Sequence, residues 1–198
     1  MREIIIATHN HGKIAEFKQL LSDLPITIYS LHDFPNIPEV EETGTTFHEN
    51  AKLKAETIAN ILGKPVVADD SGLVIDALDG APGVYSARYA GEPTDDERNI
   101  AKVLEKLAYA NDKKRTAFFV CVLAFAIPNK DTIFQEGKCY GTITQKPVGE
   151  YGFGYDPIFI PNGYKETFAQ LDAMIKNKLS HRYHALLAMR QYLLEQNI

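Results

Sequence analysis

The chain has 198 residues, 45% of them hydrophobic and 24% charged, and a formal net charge of −5 at pH 7. That is ample for one domain with a sizeable core and is the composition of an ordinary globular protein. The acidic balance argues against a general nucleic-acid binder, which needs a dense basic surface against phosphates; a small polyanion can still be held where a few Lys and Arg converge. No apolar run approaches the roughly 18 residues of a membrane span, and Ile4–Ala7 is too short for a signal-peptide core, so a cytoplasmic protein with no membrane partner is expected. Of the two cysteines, Cys121 lies inside an apolar strand and reads as a buried thiol.

In chain order, Ile4-Ile5-Ile6-Ala7 predicts a buried strand and Lys13 to Leu21 a helix, with Ile14, Phe17, Leu20 and Leu21 on one face. Ile26 to Ser30 is a second strand. Thr46-Phe47-His48-Glu49 is a capping box. It opens a helix with Phe47, Ala51, Ala55, Ile58 and Leu62 inward, ended by Gly63 before Pro65. Val66-Val67-Ala68 is a strand expected to end in Asp69-Asp70-Ser71-Gly72. Thr94-Asp95-Asp96-Glu97 reads as a second capping box, opening a helix towards Leu107. Residues 115–127 and 132–140 are long strands around the turn at Pro128-Asn129-Lys130-Asp131. A short strand follows at Ile158-Phe159-Ile160. A last helix is expected from about Ser180 to Glu195, with Leu179, Tyr183, Leu186, Leu187 and Leu193 inward. Strands alternating with helices, plus one hairpin, indicate an α/β domain with a mixed sheet, spanning residues 1–198 without linker or repeat.

Six segments carry possible chemistry, each beside a plainer reading. Thr8-His9-Asn10-His11-Gly12-Lys13 joins a strand to a helix, where amide N–H groups and Lys13 suit an anion. It lacks the early Gly and the Ser or Thr of a P-loop, and it also fits a simple junction with a solvated Lys. Glu41-Glu42-Thr43-Gly44 and Asp69-Asp70-Ser71-Gly72 are acidic pairs of the kind that hold Mg²⁺ with substrate phosphates, or else surface turns. Gly80 to Arg88 is a tight Pro-Gly loop whose Arg88 could reach a phosphate or simply solvent. Gly152-Phe153-Gly154-Tyr155-Asp156 lets backbone approach a ligand, with an aromatic to stack on a base. Lys176 to Arg182 sets a basic first turn, with Ser180 as its cap, where the helix dipole disfavours cations. A ligand anion or a solvated patch would each account for it.

Taken together and in order, these segments resemble the family of inosine/xanthosine triphosphate pyrophosphatases, the Ham1-like or RdgB-like proteins. Thr8 to Lys13, Glu42-Thr43-Gly44-Thr45-Thr46-Phe47 with Glu49-Asn50-Ala51 and Lys54-Ala55, Asp69 to Gly72, Gly80 to Gly83 with Tyr85 to Arg88, Phe153 to Asp156, and Ser180-His181-Arg182 carry the match over essentially the whole chain. One departure is Met174-Ile175, where the family has an acidic pair before the matching Lys176. The resemblance implies a long twisted mixed sheet flanked by helices, two lobes with an active-site cleft, and a homodimer. It implies that Thr8, Asn10 and Lys13, within the segment that includes His9, His11 and Gly12, hold a triphosphate with Lys54. It assigns Mg²⁺ to Glu42 and Asp70, with Asp70 the candidate for activating water. Ser71 and Arg88 would contact the nucleotide. Phe153, Gly154, Tyr155, Asp156, Lys176, His181 and Arg182 would surround the base. The implied substrates are purine nucleoside triphosphates such as ITP, dITP and XTP, cleaved to monophosphate and pyrophosphate. A hydrolase of modified pyrimidine triphosphates and a non-catalytic nucleotide sensor are the alternatives; turnover separates the sensor from either enzyme.

Overall fold

The computed structural model describes residues 2–108 and 115–196. Six strands form one mixed sheet in the order β2-β1-β3-β4-β5-β6, flanked by helices. The strands are β1 (Arg2–Ile6), β2 (Ile26–Ser30), β3 (Val66–Ile75), β4 (Thr116–Ala126), β5 (Ile133–Ile143) and β6 (Phe159–Pro161); β1 runs parallel to β2 and β3, and β5 is antiparallel to β6. The helices are α1 (His11–Leu20), α2 (Phe47–Leu62), α3 (Asp96–Lys106), α4 (Ala173–Leu179) and α5 (His181–Glu195). Among the described residues no helix is long and apolar enough to cross a membrane.

The chain divides into two compact units, each with its own core. Unit 1 is Met1–Asp70, Cys121–Gly137 and Arg182–Ile198; unit 2 is Ser71–Val120 and Lys138–His181. In unit 1, Ile4 and Ile6 of β1, Val67 of β3 and Cys121, Leu123 and Phe125 of β4 pack with Phe17 of α1, Leu21 at its C-terminal end, and Ala185, Leu186, Met189 and Leu193 of α5. Strand residues alternate between faces, so Ile5, Val66, Ala68, Val122 and Ala124 point the other way. They are buried too, so the sheet here is covered on both sides. That explains the unbroken apolar runs of β1 and β4. In unit 2, Leu73 and Ile75 pack with Val103, Leu107, Phe119, Phe159 and Phe168.

Most predicted elements are present, and the differences have local causes. Strand β3 does not stop before Asp69 but runs to Ile75, because Leu73 and Ile75 are fully buried and extend the apolar pattern past the acidic pair. The cap of α3 is Asp95, whose side chain accepts from the Arg98 N–H, and not Thr94. Helix α4 had no expected counterpart; Asp172 caps it by accepting from the Met174 N–H. Ser180 closes α4, where its hydroxyl donates to the Asn177 carbonyl. In α5 the inward face is Arg182, Ala185, Leu186, Met189 and Leu193, whereas Leu187 is exposed. Both cysteines are buried free thiols, pushed by burial up to about 12 at Cys121 and about 11 at Cys139.

Strand β5 alternates buried and exposed positions, and its buried Gly141 lies against β6. A Cβ there would sit 2.2 Å from the Ile160 carbonyl oxygen and 2.7 Å from the Phe159 ring. Backbone cannot yield as a flexible side chain does, so Gly141→Ala is expected to destabilise the fold by about 3 kcal/mol. A urea unfolding midpoint unchanged from the native protein would contradict this.

Candidate active site

The acidic pair sits within β3, where successive side chains leave opposite faces. The Asp69 carboxylate meets α1 and α5. Its Oδ2 accepts from Lys13 Nζ at 2.7 Å and lies 3.8 Å from Arg182 Nε. The Asp70 carboxylate meets α2, accepting at Oδ2 from Asn50 Nδ2 at 3.0 Å. Both aspartates are buried, as are Asn50 and Arg182. Arg182 also reaches Glu16 of α1 at 3.6 Å. Lys54 of α2 donates to the Asp69 backbone carbonyl at 3.0 Å and pairs with Glu42.

The charges of this cluster support one another. Burial alone would raise the Asp69 carboxyl, but Lys13, Arg182 and Lys54 overcome it and hold Asp69 well below the usual carboxylate range. Burial alone would lower the Lys54 ammonium; Asp69, Glu42 and Asp70 hold it above the ordinary lysine range instead. Burial alone would lower Arg182 as well, but Asp69 and Glu16 together hold it above the ordinary arginine range.

Local sequence explains how these groups are presented. Asn10 caps α1, its Oδ1 accepting from the Lys13 N–H at 3.1 Å, and its own N–H donates to Thr8 Oγ1 at 3.1 Å. Helix α1 therefore begins at His11, earlier than the expected Lys13, and Gly12 falls in its first turn. His32 stacks on His11 with ring centroids 4.5 Å apart, and its Nε2 lies 2.9 Å from the His9 carbonyl. On α2, the capping box is present: Thr46 accepts from the Glu49 N–H and Glu49 accepts from the Thr46 N–H. Glu49 also accepts from the Thr45 hydroxyl and N–H, and these hydrogen bonds lower its carboxyl from the usual range.

In unit 2, Asp156 organises the Gly-rich loop. Its Oδ2 accepts from the Phe153 N–H at 2.8 Å and from Lys176 Nζ at 2.5 Å. Burial lifts the Asp156 carboxyl above the usual range, and Lys176 pulls it back only in part. Gly152 has φ +83°, and a Cβ there would lie 2.2 Å from Asp156 Oδ2, so the turn requires glycine. Lys176 Nζ lies 4.7 Å from the centre of the Phe153 ring, which is 65% exposed and open to stacking. The Gly154 N–H donates to Asp96 at 2.7 Å. The Tyr155 ring is buried and its hydroxyl donates to the Ser86 carbonyl at 2.7 Å, so Tyr155 serves the core of the unit. His181 stacks on Phe119 with centroids 5.0 Å apart. Arg88 lies 5.5 Å from the Tyr85 ring centre, and Ser71 sits half-buried in β3.

The structure thus brings Thr8, His9, Asn10, His11, Gly12, Lys13, Glu42, Lys54, Asp70 and Arg182 into unit 1 and Ser71, Arg88, Phe153 to Asp156, Lys176 and His181 into unit 2. Arg182 also forms ion pairs with Asp69 and Glu16, which its expected place against the base did not foretell. Sequence reasoning assigned no individual role to Asn50 or to Asp69, which it named only within the acidic pair, and did not single out Glu16 or His32. For the first two a signal existed: an Asn beside the inward face of α2, and an acidic pair within a strand, which cannot share one side of a sheet.

The Asp69 pairing has a consequence for stability. Its folded pKa is depressed, so its contribution is complete above the unfolded value and is lost as pH falls through the folded one. At pH 7, Asp69→Asn is expected to cost about 3 kcal/mol, because it leaves the buried Arg182 and the half-buried Lys13 without this partner. That difference is expected to shrink below about pH 4, where the unfolded carboxyl takes up its proton. A gap that stays constant from neutral pH to about pH 2 in denaturant titrations would contradict the assignment.

The Ham1 family model matches residues 4–192 of this chain. A dITP/XTP pyrophosphatase of Shouchella clausii is 56% identical over 191 residues, covering 96% of each chain. One from Listeria monocytogenes is 50% identical, over 98% of this chain and 96% of its own. Among solved structures, a HAM1 protein from Coxiella burnetii superposes with a TM-score of 0.94 at 45% identity, and the Ham1 protein of Staphylococcus aureus with 0.91 at 45%; each comparison covers 98% of this chain and 100% of the other.

Proposed function

This chain belongs to the Ham1 family, and from that premise we propose that it is a nucleoside-triphosphate pyrophosphatase acting on non-canonical purine nucleotides such as ITP, dITP and XTP. The observation that carries the reading is the paired carboxylate of β3. Asp69 is neutralised by Lys13 and Arg182, whereas Asp70, on the opposite face, faces the neutral amide of Asn50. In this reading Asp69 anchors cations for the triphosphate and Asp70 serves the chemistry.

The donor set fits a hard divalent cation. Glu42 and Asp70 offer carboxylate oxygens, and Mg²⁺ takes one or two such groups together with phosphate and water. Charge points the same way. Lys13, Lys54 and Arg182 face the carboxylates of Glu16, Glu42, Asp69 and Asp70, which leaves the cluster one positive charge short of neutral. Glu42 and Asp70 would hold Mg²⁺, which when bound offsets phosphate charge and polarises the phosphoryl oxygens.

Lys13 and Lys54 bind and orient the triphosphate, supported by Thr8, Asn10 and the start of α1. Asp70 accepts the proton of a water attacking the α-phosphorus, giving monophosphate and pyrophosphate. Ser71 and Arg88 contact the nucleotide. Phe153 stacks on the base, and Lys176 and His181 line its edge. A donor aimed at the 6-oxo group rejects the 6-amino group of adenine, since a mismatched buried polar group costs about 1–3 kcal/mol. A donor or tight wall near C2 rejects the 2-amino group of guanine.

Pyrophosphate release from ITP, dITP, XTP, ATP and GTP tests this, with Mg²⁺ and with chelator. The first three are expected to be cleaved at least about tenfold faster than ATP or GTP, and only with the metal present. GTP cleaved as fast as ITP would overturn the base discrimination. Binding of ITP without release from any nucleotide would replace the enzyme with a sensor.

A further inference from the structure

We infer that Asn50 is a positioning residue that ties the Glu42–Gly44 loop to Asp70 and so holds both working carboxylates of unit 1 in one geometry; the inference rests on the proposed roles of Glu42 and Asp70. Asn50 is fully buried, and both ends of its amide are engaged. Its Oδ1 accepts from the Gly44 N–H at 2.7 Å and its Nδ2 donates to Asp70 Oδ2 at 3.0 Å. The orientation is forced, because the Gly44 N–H can only donate and must face the amide oxygen. Nδ2 is then turned to the carboxylate, and Asp70 Oδ2 is fixed as an acceptor.

The surroundings are built around this bridge. A Cβ on Gly44 would lie 2.7 Å from Asn50 Oδ1 and 2.7 Å from Glu49 Cβ, so the loop reaches the amide only as glycine. The Thr46–Glu49 capping box sets the start of α2 and with it the position of Asn50 one residue further on. No other side chain of this length offers one acceptor and one donor in the same plane. Asp lacks the donor, Leu lacks both, and Gln adds a methylene to a site with no exposed surface.

The test compares Asn50→Ser, Asp70→Asn, Asn50→Asp and the exchanged pair N50D/D70N. Asn50→Ser is expected to lower kcat about tenfold or more, with the nucleotide KM within about twofold of native, because the triphosphate contacts are untouched. It is also expected to raise the Mg²⁺ concentration for half-maximal rate. A folded Asn50→Ser protein with kcat and Mg²⁺ midpoint both within about twofold of native would overturn the inference. Native turnover in Asp70→Asn would instead remove the reading on which it rests. The exchanged pair gives a readout independent of activity. Its new carboxylate can accept from both the Gly44 N–H and the new amide, so its thermal transition is expected to return towards native from that of Asn50→Asp, while turnover stays absent. If Asn50→Ser does not fold, this recovery decides: its presence supports the coupling, and its failure overturns it.

Discussion

Two adjacent carboxylates on a buried strand must leave opposite faces of the sheet, and at Asp69–Asp70 each face supplies different partners. On one side α1 and α5 bring Lys13 and Arg182 to Asp69; on the other α2 brings Asn50 to Asp70. A buried carboxylate without a partner would be too costly to keep ionised, and one fully neutralised by cations would be a poor base. The alternation of a strand gives the neighbouring residues different partners, ion pairs at Asp69 and, at Asp70, the Asn50 amide together with the charge of Lys54. Helix α2 joins the faces, since Lys54 reaches the Asp69 carbonyl from the same helix that presents Asn50.

Unit 2 uses a related device on a smaller scale. There one buried carboxylate, Asp156, gathers a loop N–H and a lysine, and the lysine in turn lies over an exposed aromatic ring. The loop geometry depends on glycine at 152 because the carboxylate fills the space a Cβ would need. In both units a buried acid orders cations and backbone ahead of any ligand, which is what electrostatic preorganisation requires.

Much of this was legible in the residues. The α2 capping box, its Gly63 stop and the apolar runs of β1 and β4 follow from local rules, and each is where those rules put it. The site segments were legible as short motifs, and their family resemblance supplied roles that spacing alone left open. What escaped reading depended on distant partners. Asp-Ser-Gly looks like a turn until Leu73 and Ile75 are seen to be buried beyond it. Arg182 looks like a surface cation at a helix start, and only the fold sets it against Asp69, far away in the chain. Asn50 is one letter in a helix, and its function lies in two groups that the helix does not contain.

The proposed reaction makes one commitment that no binding experiment can test, namely which phosphorus water attacks. Hydrolysis of ITP in ¹⁸O-enriched water, with mass analysis of both products, addresses it directly. The account predicts that the label appears in inosine monophosphate and not in pyrophosphate. Label in pyrophosphate, or release of orthophosphate in its place, would contradict it.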